Sequence, residues 1–445
     1  MTTSPADLLQ SLIAATLKAG ADAADARLSE SASLSVEVRN RELESVEREE
    51  SRGISLRALV GRRQAAVSGT DLSPNALKAL SERVVAMAKL APEDKYCGLA
   101  EASEITTSHP DLQLQSDDTP EADELERRGR EIEDAAMSVV GVKQVSHAGA
   151  SWGTSNSWLA ASNGFAAHKT SGYSSMAGVA ISERDGAMER DHESSSARLL
   201  ANHKSPEWVG RQAGERAIAR LGARKLDSQT AAVIYENRLS SRLLGAFIGA
   251  ISGPAIARGV SYLKDKMGKP VFAPGVDVID DPLRLGGFGS RGFDGEGRPV
   301  QKTALVKDGV LTQWLLNGPA ARQLGLTPNG FASMGFGDPP GVTTSNLDIM
   351  PGTRSQAELM KDAGKGLLIT DMFGPSINPN TGDYSVGVSG FWFENGERAY
   401  PVSEVTVAGD LPSMLLRAVM GSDLEIRGST NAPSILIDGM TLAGR

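Results

Sequence analysis

The sequence predicts an α+β protein: an N-terminal mixed α/β region, a β-rich middle region with flanking helices, and a C-terminal β-rich domain holding a buried glycine-rich helix. Three observations carry this expectation. Ser4-Pro5, Ser73-Pro74 and Ser205-Pro206 each open an amphipathic run, as an N-cap followed by a first-turn proline does. Leu34, Val36 and Val38, and then Ile54, Leu56, Ala58 and Val60, alternate with the two-residue period of strands. Asp308-Gly309 and Asn395-Gly396 separate apolar runs, and such dipeptides favour tight hairpins.

The first segment, "MTTSPADLLQSLIAATLKAG", has no early positive run and places Asp7 inside its apolar part, so it reads as a capped helix rather than a secretory signal. Leu9, Leu12, Ile13 and Leu17 share one face of that helix, and Gly20 stops it. Strands follow, then a helix from Ser73-Pro74 to Lys89, completing a region over 1–92. Residues 93–119 turn polar and include "SHPDLQLQSDDTP", a linker or edge segment. The central region, 120–226, opens with a charged helix from Pro120 to Val140. It continues through strands with turns expected at "ASNGF", "TSGY" and "ERDGA", and closes with a helix from Ser205-Pro206 to Leu221. From 227 to 445 short strands and glycine-rich turns dominate, with no fixed-period repeat.

Composition narrows the function classes. A chain of 445 residues with 40% hydrophobic and 23% charged content has room for substantial cores. A net charge of -9 and a pI near 5.3 lack the clustered positive charge that nucleic acid demands. Cys97 is the only cysteine, which excludes an intrachain disulfide and fits a reducing, cytoplasmic setting. The most apolar run, Leu243 to Ile256, contains Pro254, is flanked by Arg242 and Arg258, and is too short to span a membrane.

Several motifs resemble catalytic ones without their context. "GASWG" would nominate Ser151 as a nucleophile, but alternating residues follow it where a nucleophile elbow needs a helix, so a turn serine is expected. "GFGSRG", with Gly287, Gly289 and Gly292, precedes "FDGEGRP", which cannot form a phosphate-binding helix, and it reads as a loop. His192-Glu193 opens a zinc motif but lacks the second histidine, leaving an exposed polar turn residue as the expectation. No histidine follows His203, which excludes a His-rich metal site in the third region. Asp277, Asp280, Asp281, Asp294 and Glu296 remain as oxygen donors for a hard metal, although Asp beside Pro and Gly is also what turns use.

The stretch "SRLLGAFIGAISGPAIARG" repeats glycine at 245, 249 and 253, each costing a helix roughly 1 kcal/mol relative to alanine. A helix face without side chains lets another backbone approach, either an internal sheet or a second subunit, and internal packing is the preferred expectation.

In order along the chain, "AGADAADARL", "GISLRALVG", "LGARKL", "SYLKDKMGKPV", "GSRGFDGEGRPVQKTALVKDGVLTQWLLN", "NPNTGDYSVGVSGFWFENGERAYPVSEVTVAG" and "ILIDGMTLAG" give the sequence a resemblance, over nearly its whole length, to the TldD/PmbA family, specifically its PmbA (TldE) branch. The resemblance implies a heterodimeric metallopeptidase. In it the TldD-type subunit carries zinc or another divalent metal on an H-E-x-x-x-H helix plus a C-terminal cysteine, and the PmbA-type chain is its partner. Matching "GAFIGAISGPAIAR" to the metal helix, with Arg258 as anchor, places Gly245 and Ala246 at the first histidine and the glutamate, and Ala250 at the second histidine. Ala432 stands near the cysteine position. The expectation is therefore no metal and no catalytic residue in this chain.

The resemblance further implies unfolded or short peptides, leader segments among them, as substrates, with a homodimer as the alternative assembly when the chain is alone. Within "GDYSVGVSGFWF", Tyr384, Val386, Val388 and Trp392 are candidates for pairing with a peptide by strand addition, an internal strand being the alternative. An autonomous hydrolase using the carboxylates, and a regulator of another protein in line with the family's description as gyrase modulators, are the other functional readings.

Overall fold

The computed structural model describes residues 4–333 and 335–444. Its first unit is one long antiparallel sheet. Strands β1 (Ala23–Arg39), β2 (Glu42–Val60), β3 (Arg63–Gly69), β4 (Val142–Ala161), β5 (Ala166–Arg184) and β6 (Ala187–Ala197) lie in the order β3-β2-β1-β4-β5-β6. Because β1 pairs with both β2 and β4, the expected first and second regions share this sheet.

Two helix pairs cover one face of it. Helices α1 (Pro5–Lys18) and α2 (Pro74–Leu90) bury Leu9, Leu12, Ile13, Val84 and Val85 against Ala26, Leu28, Ile54 and Leu56. Helices α3 (Ala122–Met137) and α4 (Pro206–Ala219) bury Leu125, Ile132, Val209 and Ala213 against Val36, Ala148 and Met176. Ser4, Ser73 and Ser205 accept hydrogen bonds from the backbone N–H groups of Asp7, Ala76 and Trp208, so all three expected caps form.

Some local expectations give way. Thr16 rather than Leu17 completes the buried face of α1, its hydroxyl donating to Leu12 O and Leu17 facing solvent. The charged helix is two residues shorter at its start and three at its end than expected, and Val140 is exposed. "TSGY" runs straight through β5, and Ser151 lies mid-strand in β4 between Ser35 and Ser175, because a continuous ladder overrides local turn preference. His192 likewise lies on a strand, β6, while Glu193 points inward to Arg216 and Arg427.

The C-terminal unit is built on strands β7 (Gln229–Tyr235), β8 (Lys365–Ile377), β9 (Asp383–Glu394), β10 (Glu397–Asp410) and β11 (Ile435–Ala443). They follow the order β10-β9-β8-β7-β11, and a further pairing of Thr406–Ala408 with Thr441–Ala443 joins β10 to β11. The sheet therefore closes on itself, which removes its edges. Val233, Tyr235, Val386 and Val388 enter the large internal core, whereas Ala232 and Ile234 face the helix Gln356–Ala363 on the other side. Asp308 and Asn395 have φ of 49° and 52° and Gly309 and Gly396 of 78° and 84°, the double positive-φ turn that Asp-Gly and Asn-Gly favour.

The two units meet across the polar segment 93–119. Arg322 donates to Tyr96 O, Arg298 pairs with Glu104, Thr106 N donates to Gly297 O, and Gly286 N donates to Leu112 O. This segment has no helix or strand and is held by contacts to both sides.

Candidate functional site

The glycine-rich stretch, preceded by a single turn, α5 (Asn237–Ser240), forms two short helices, α6 (Arg242–Ala250) and α7 (Gly253–Ala257), rather than one. The break has a hydrogen-bond cause. Leu315 N donates to Ile251 O and Gly253 N donates to Leu315 O, so a neighbouring strand-like segment replaces intrahelical bonds where Pro254 begins a new turn. Ser261 Oγ caps the freed Ala250 carbonyl at 2.6 Å.

Helix α6 buries Leu243, Leu244, Phe247 and Ala250 in the main core, with Phe247 edge-on to Phe272 at 5.1 Å. Its glycine face points away from that core. A Cβ on Gly245 or Gly249 would meet nothing within 4 Å, which corrects the expectation that all three glycines pack internally. Only Gly253 sits close to a backbone, where a Cβ would lie 2.6 Å from Leu315 O. The reason is amphipathicity: the leucines and phenylalanine take the buried side of α6, and the glycines, offset around the helix, fall on the open side.

The position near the C-terminus comes to the same neighbourhood. Ala432 is fully buried in the core that also holds Ala250, and its carbonyl accepts a hydrogen bond from Ser240 Oγ at the end of α5. Gly245, Ala246 and Ala250 lie on α6 itself, and neither they nor Ala432 carries a side-chain donor. Among the described residues no group of three or more His, Cys, Asp and Glu side chains is arranged to hold a metal. This donor set does not fit a divalent cation.

The carboxylates of the third region are engaged structurally. Asp294 Oδ1 accepts the N–H groups of Glu296 and Arg298, and Glu296 pairs with Arg298 and accepts from Gly318 N. Asp280 accepts from Ser345 N at 2.6 Å. Asp277 pairs with Lys307 and Asp281 with Lys302. Burial raises Asp280 to about 6, and burial together with the Glu296 charge does the same for Asp294. They bind loops rather than converge on one point.

Tyr384, Val386, Val388 and Trp392 all lie on β9, and all are buried. The strand pairs with β8 on one side and β10 on the other; Val388 stands opposite Met372 and Val405. With both edges used, β9 cannot add a peptide strand, so the internal-strand alternative holds and the peptide-pairing expectation does not. Tyr384 also faces Tyr235 inside the core, and burial pushes its hydroxyl up to about 12.

A free strand edge does exist, at a place the sequence did not single out. β6 pairs with β5 only from Ser174 onward, which leaves the preceding part of β5 open on that side. A cleft of about 870 Å³ lies along it, walled by 109–118, by Leu199–Ala201 and by Gly292 and Phe293. Lys169 lines this cleft, its ammonium donating to Ser290 O at 2.8 Å. Burial, with Arg198, Arg291 and Arg27 nearby, lowers Lys169 to about 8. The available signal was the alternation of Leu112 and Leu114 in "DLQLQ", which marks an extended segment with one buried side.

The closed C-terminal sheet joined to a long six-stranded sheet defines a class of large two-unit α+β chains, and comparison with known proteins assigns the family. Sequence models of the PmbA/TldA metallopeptidase match in three parts: domain 1 over residues 24–88, the central domain over 115–221 and the C-terminal domain over 228–444. The metalloprotease PmbA of Escherichia coli O157:H7 is 33% identical over 433 residues, covering 95% of this chain and 93% of that protein. A PmbA homologue of Haemophilus influenzae is 32% identical over 96% and 93% of the two chains. The fold matches a Bacteroides thetaiotaomicron structure described as a candidate modulator of DNA gyrase, with a TM-score of 0.91, 24% identity and complete coverage of both chains. It also matches TldE from Thermococcus kodakarensis, with a TM-score of 0.86 and 18% identity, covering 98% and 100% of the chains. The chain belongs to the PmbA/TldD metalloprotease family.

Proposed function

We propose that this chain is the non-catalytic, PmbA/TldE-type subunit of a two-subunit cytoplasmic metallopeptidase. A TldD-type partner would carry the zinc or other divalent metal and cut unfolded or short peptides, leader segments among them. The observation that supports this reading is full-length family similarity combined with Gly245, Ala246, Ala250 and Ala432 at positions where hydrolysis would need imidazole, carboxylate and thiolate. Glycine and alanine neither bind a cation nor activate water. The chain's contribution is then to complete the peptide-accepting surface beside the partner's metal.

The test is reconstitution. The chain purified free of any TldD-type protein should retain no stoichiometric zinc and leave an unstructured peptide intact. Adding the TldD-type protein should produce cleavage faster than that protein gives alone. Cleavage by the chain after exhaustive removal of the partner would overturn the reading.

A further inference from the structure

The free edge of β5 is defined by a single residue. Gly172 turns its N–H outward to Leu114 O at 2.8 Å and its carbonyl outward to Arg198 Nη1 at 2.6 Å. Successive residues of a strand alternate, so the backbone groups of Thr170 and His168 point the same way. No backbone hydrogen bond from another segment reaches them there among the described residues. Unpaired edges are templates for a further strand, and natural sheets usually cover them. Here the covering segment touches β5 at Gly172 and then stands off, leaving the cleft between.

The walls of the cleft are fixed. Leu112 is held by Gly286 N, Ser116 Oγ accepts from Leu200 N, and His109 packs on Phe293 with ring centres 5.3 Å apart. His168 is stacked on Trp158 at 4.6 Å, and Thr170 donates to Asn156 Oδ1 at 2.7 Å, so both side chains are turned to protein partners while their backbone stays open. The outer wall carries Asp111, Asp117 and Asp118, which form no ion pair among the described residues. The single lysine opposite them is already bonded to Ser290 O. Donation to a carbonyl leaves that ammonium charged, so three carboxylates face one cation and the excess charge of the lining is negative.

We infer that the cleft between β5 and the 109–118 segment holds an extended, basic peptide, which pairs as an added strand with the His168 and Thr170 backbone and directs its cationic side chains to Asp111, Asp117 and Asp118. This deepens the peptide-accepting role proposed above and rests on that reading for its biological meaning. The physical division of labour is that of strand addition: main-chain bonds give sequence-tolerant affinity and the wall charges give preference.

The probe is a fluorescent ten-residue peptide of alternating lysine and threonine, titrated onto the full chain without any partner protein. Saturation should slow amide hydrogen exchange at His168 and Thr170. Thr170→Pro removes an outward donor without touching the ladder to β4, and should weaken binding roughly three- to tenfold, the equivalent of one hydrogen bond. The combined Asp111→Asn, Asp117→Asn and Asp118→Asn variant should weaken it further and abolish most of its salt dependence, while a glutamate–threonine peptide should not compete.

Unchanged exchange at both amides, or equal binding of the acidic peptide, overturns the inference. So does undiminished affinity in a folded Thr170→Pro variant; if that variant does not fold, the exchange experiment on the unaltered chain decides. Binding here with no cleavage by the reconstituted pair would refute the subunit reading alone, and cleavage without this binding would refute the cleft alone.

Discussion

At the scale of single residues, the buried acids set a pH dependence whose sign follows from their environment. Asp280 and Asp294 are raised from 3.8 to about 6 by burial, with the Glu296 charge adding to the effect on Asp294. Between those values the folded chain keeps protons that the unfolded chain has released, so stability falls as pH rises from about 4 to about 6 and then levels. His203, lowered from 6.5 to about 4 by burial and Arg128, acts oppositely: folding excludes a proton the unfolded chain retains, so its contribution improves over the same window. Asp294→Asn should flatten the fall and His203→Gln should steepen it. The Asp294 difference corresponds to on the order of 2–3 kcal/mol across the window. Denaturant midpoints from pH 4 to 7 check this, and parallel curves for the Asn variant and the parent would show that the carboxyl titrates as in the unfolded chain.

At the scale of elements, two glycine positions make opposite demands. Gly210 of α4 lies against Ile132 O of α3, and neighbouring Gly214 would bring a Cβ within 2.9 Å of Val139. These helices cross backbone to backbone, so Gly210→Ala should cost about 1–3 kcal/mol by forcing them apart. Gly249 of α6 faces open space, and Gly249→Ala in the isolated chain should stabilise it by roughly 0.5–1 kcal/mol. Thermal melts of the two variants should move in opposite directions, and a destabilised Gly249→Ala chain would mean that α6 packs on something. Both glycines look alike in the sequence. Helix starts were legible because Ser4, Ser73 and Ser205 cap through bonds three residues away, and the Asp308 and Asn395 hairpins because two residues decide the turn. The break in α6 was not, since it depends on Leu315, far along the chain. Closure of the C-terminal sheet is equally non-local: "GDYSVGVSGFWF" reads the same whether β9 is an edge or, as here, an interior strand. That positions 245, 246, 250 and 432 carry no donor side chain was legible because absence of a side chain needs no geometry, whereas the β5 cleft arises only where a sheet edge meets a segment more than fifty residues away.

At the scale of the molecule, the sheet β3-β2-β1-β4-β5-β6 makes the first 226 residues interdependent. From Asp25 to Val38, β1 is bonded on one side to β2 and on the other to β4, so nearly all of its length needs strands from both sides of the 93–119 segment. A chain of residues 4–92 would expose that whole edge together with Leu34 and Val36, which otherwise pack beneath α3 and α4. Long unpaired edges associate, and the core left under α1 and α2 is small. Residues 4–92 produced alone should therefore aggregate or lack a cooperative transition, while residues 4–226 should melt cooperatively with a native-like β signal. Circular dichroism and sedimentation of the two fragments provide the measurement. A monomeric, cooperatively melting 4–92 fragment would mean that β1 does not need β4, and that the continuous sheet is a docking of two finished units rather than one folding unit.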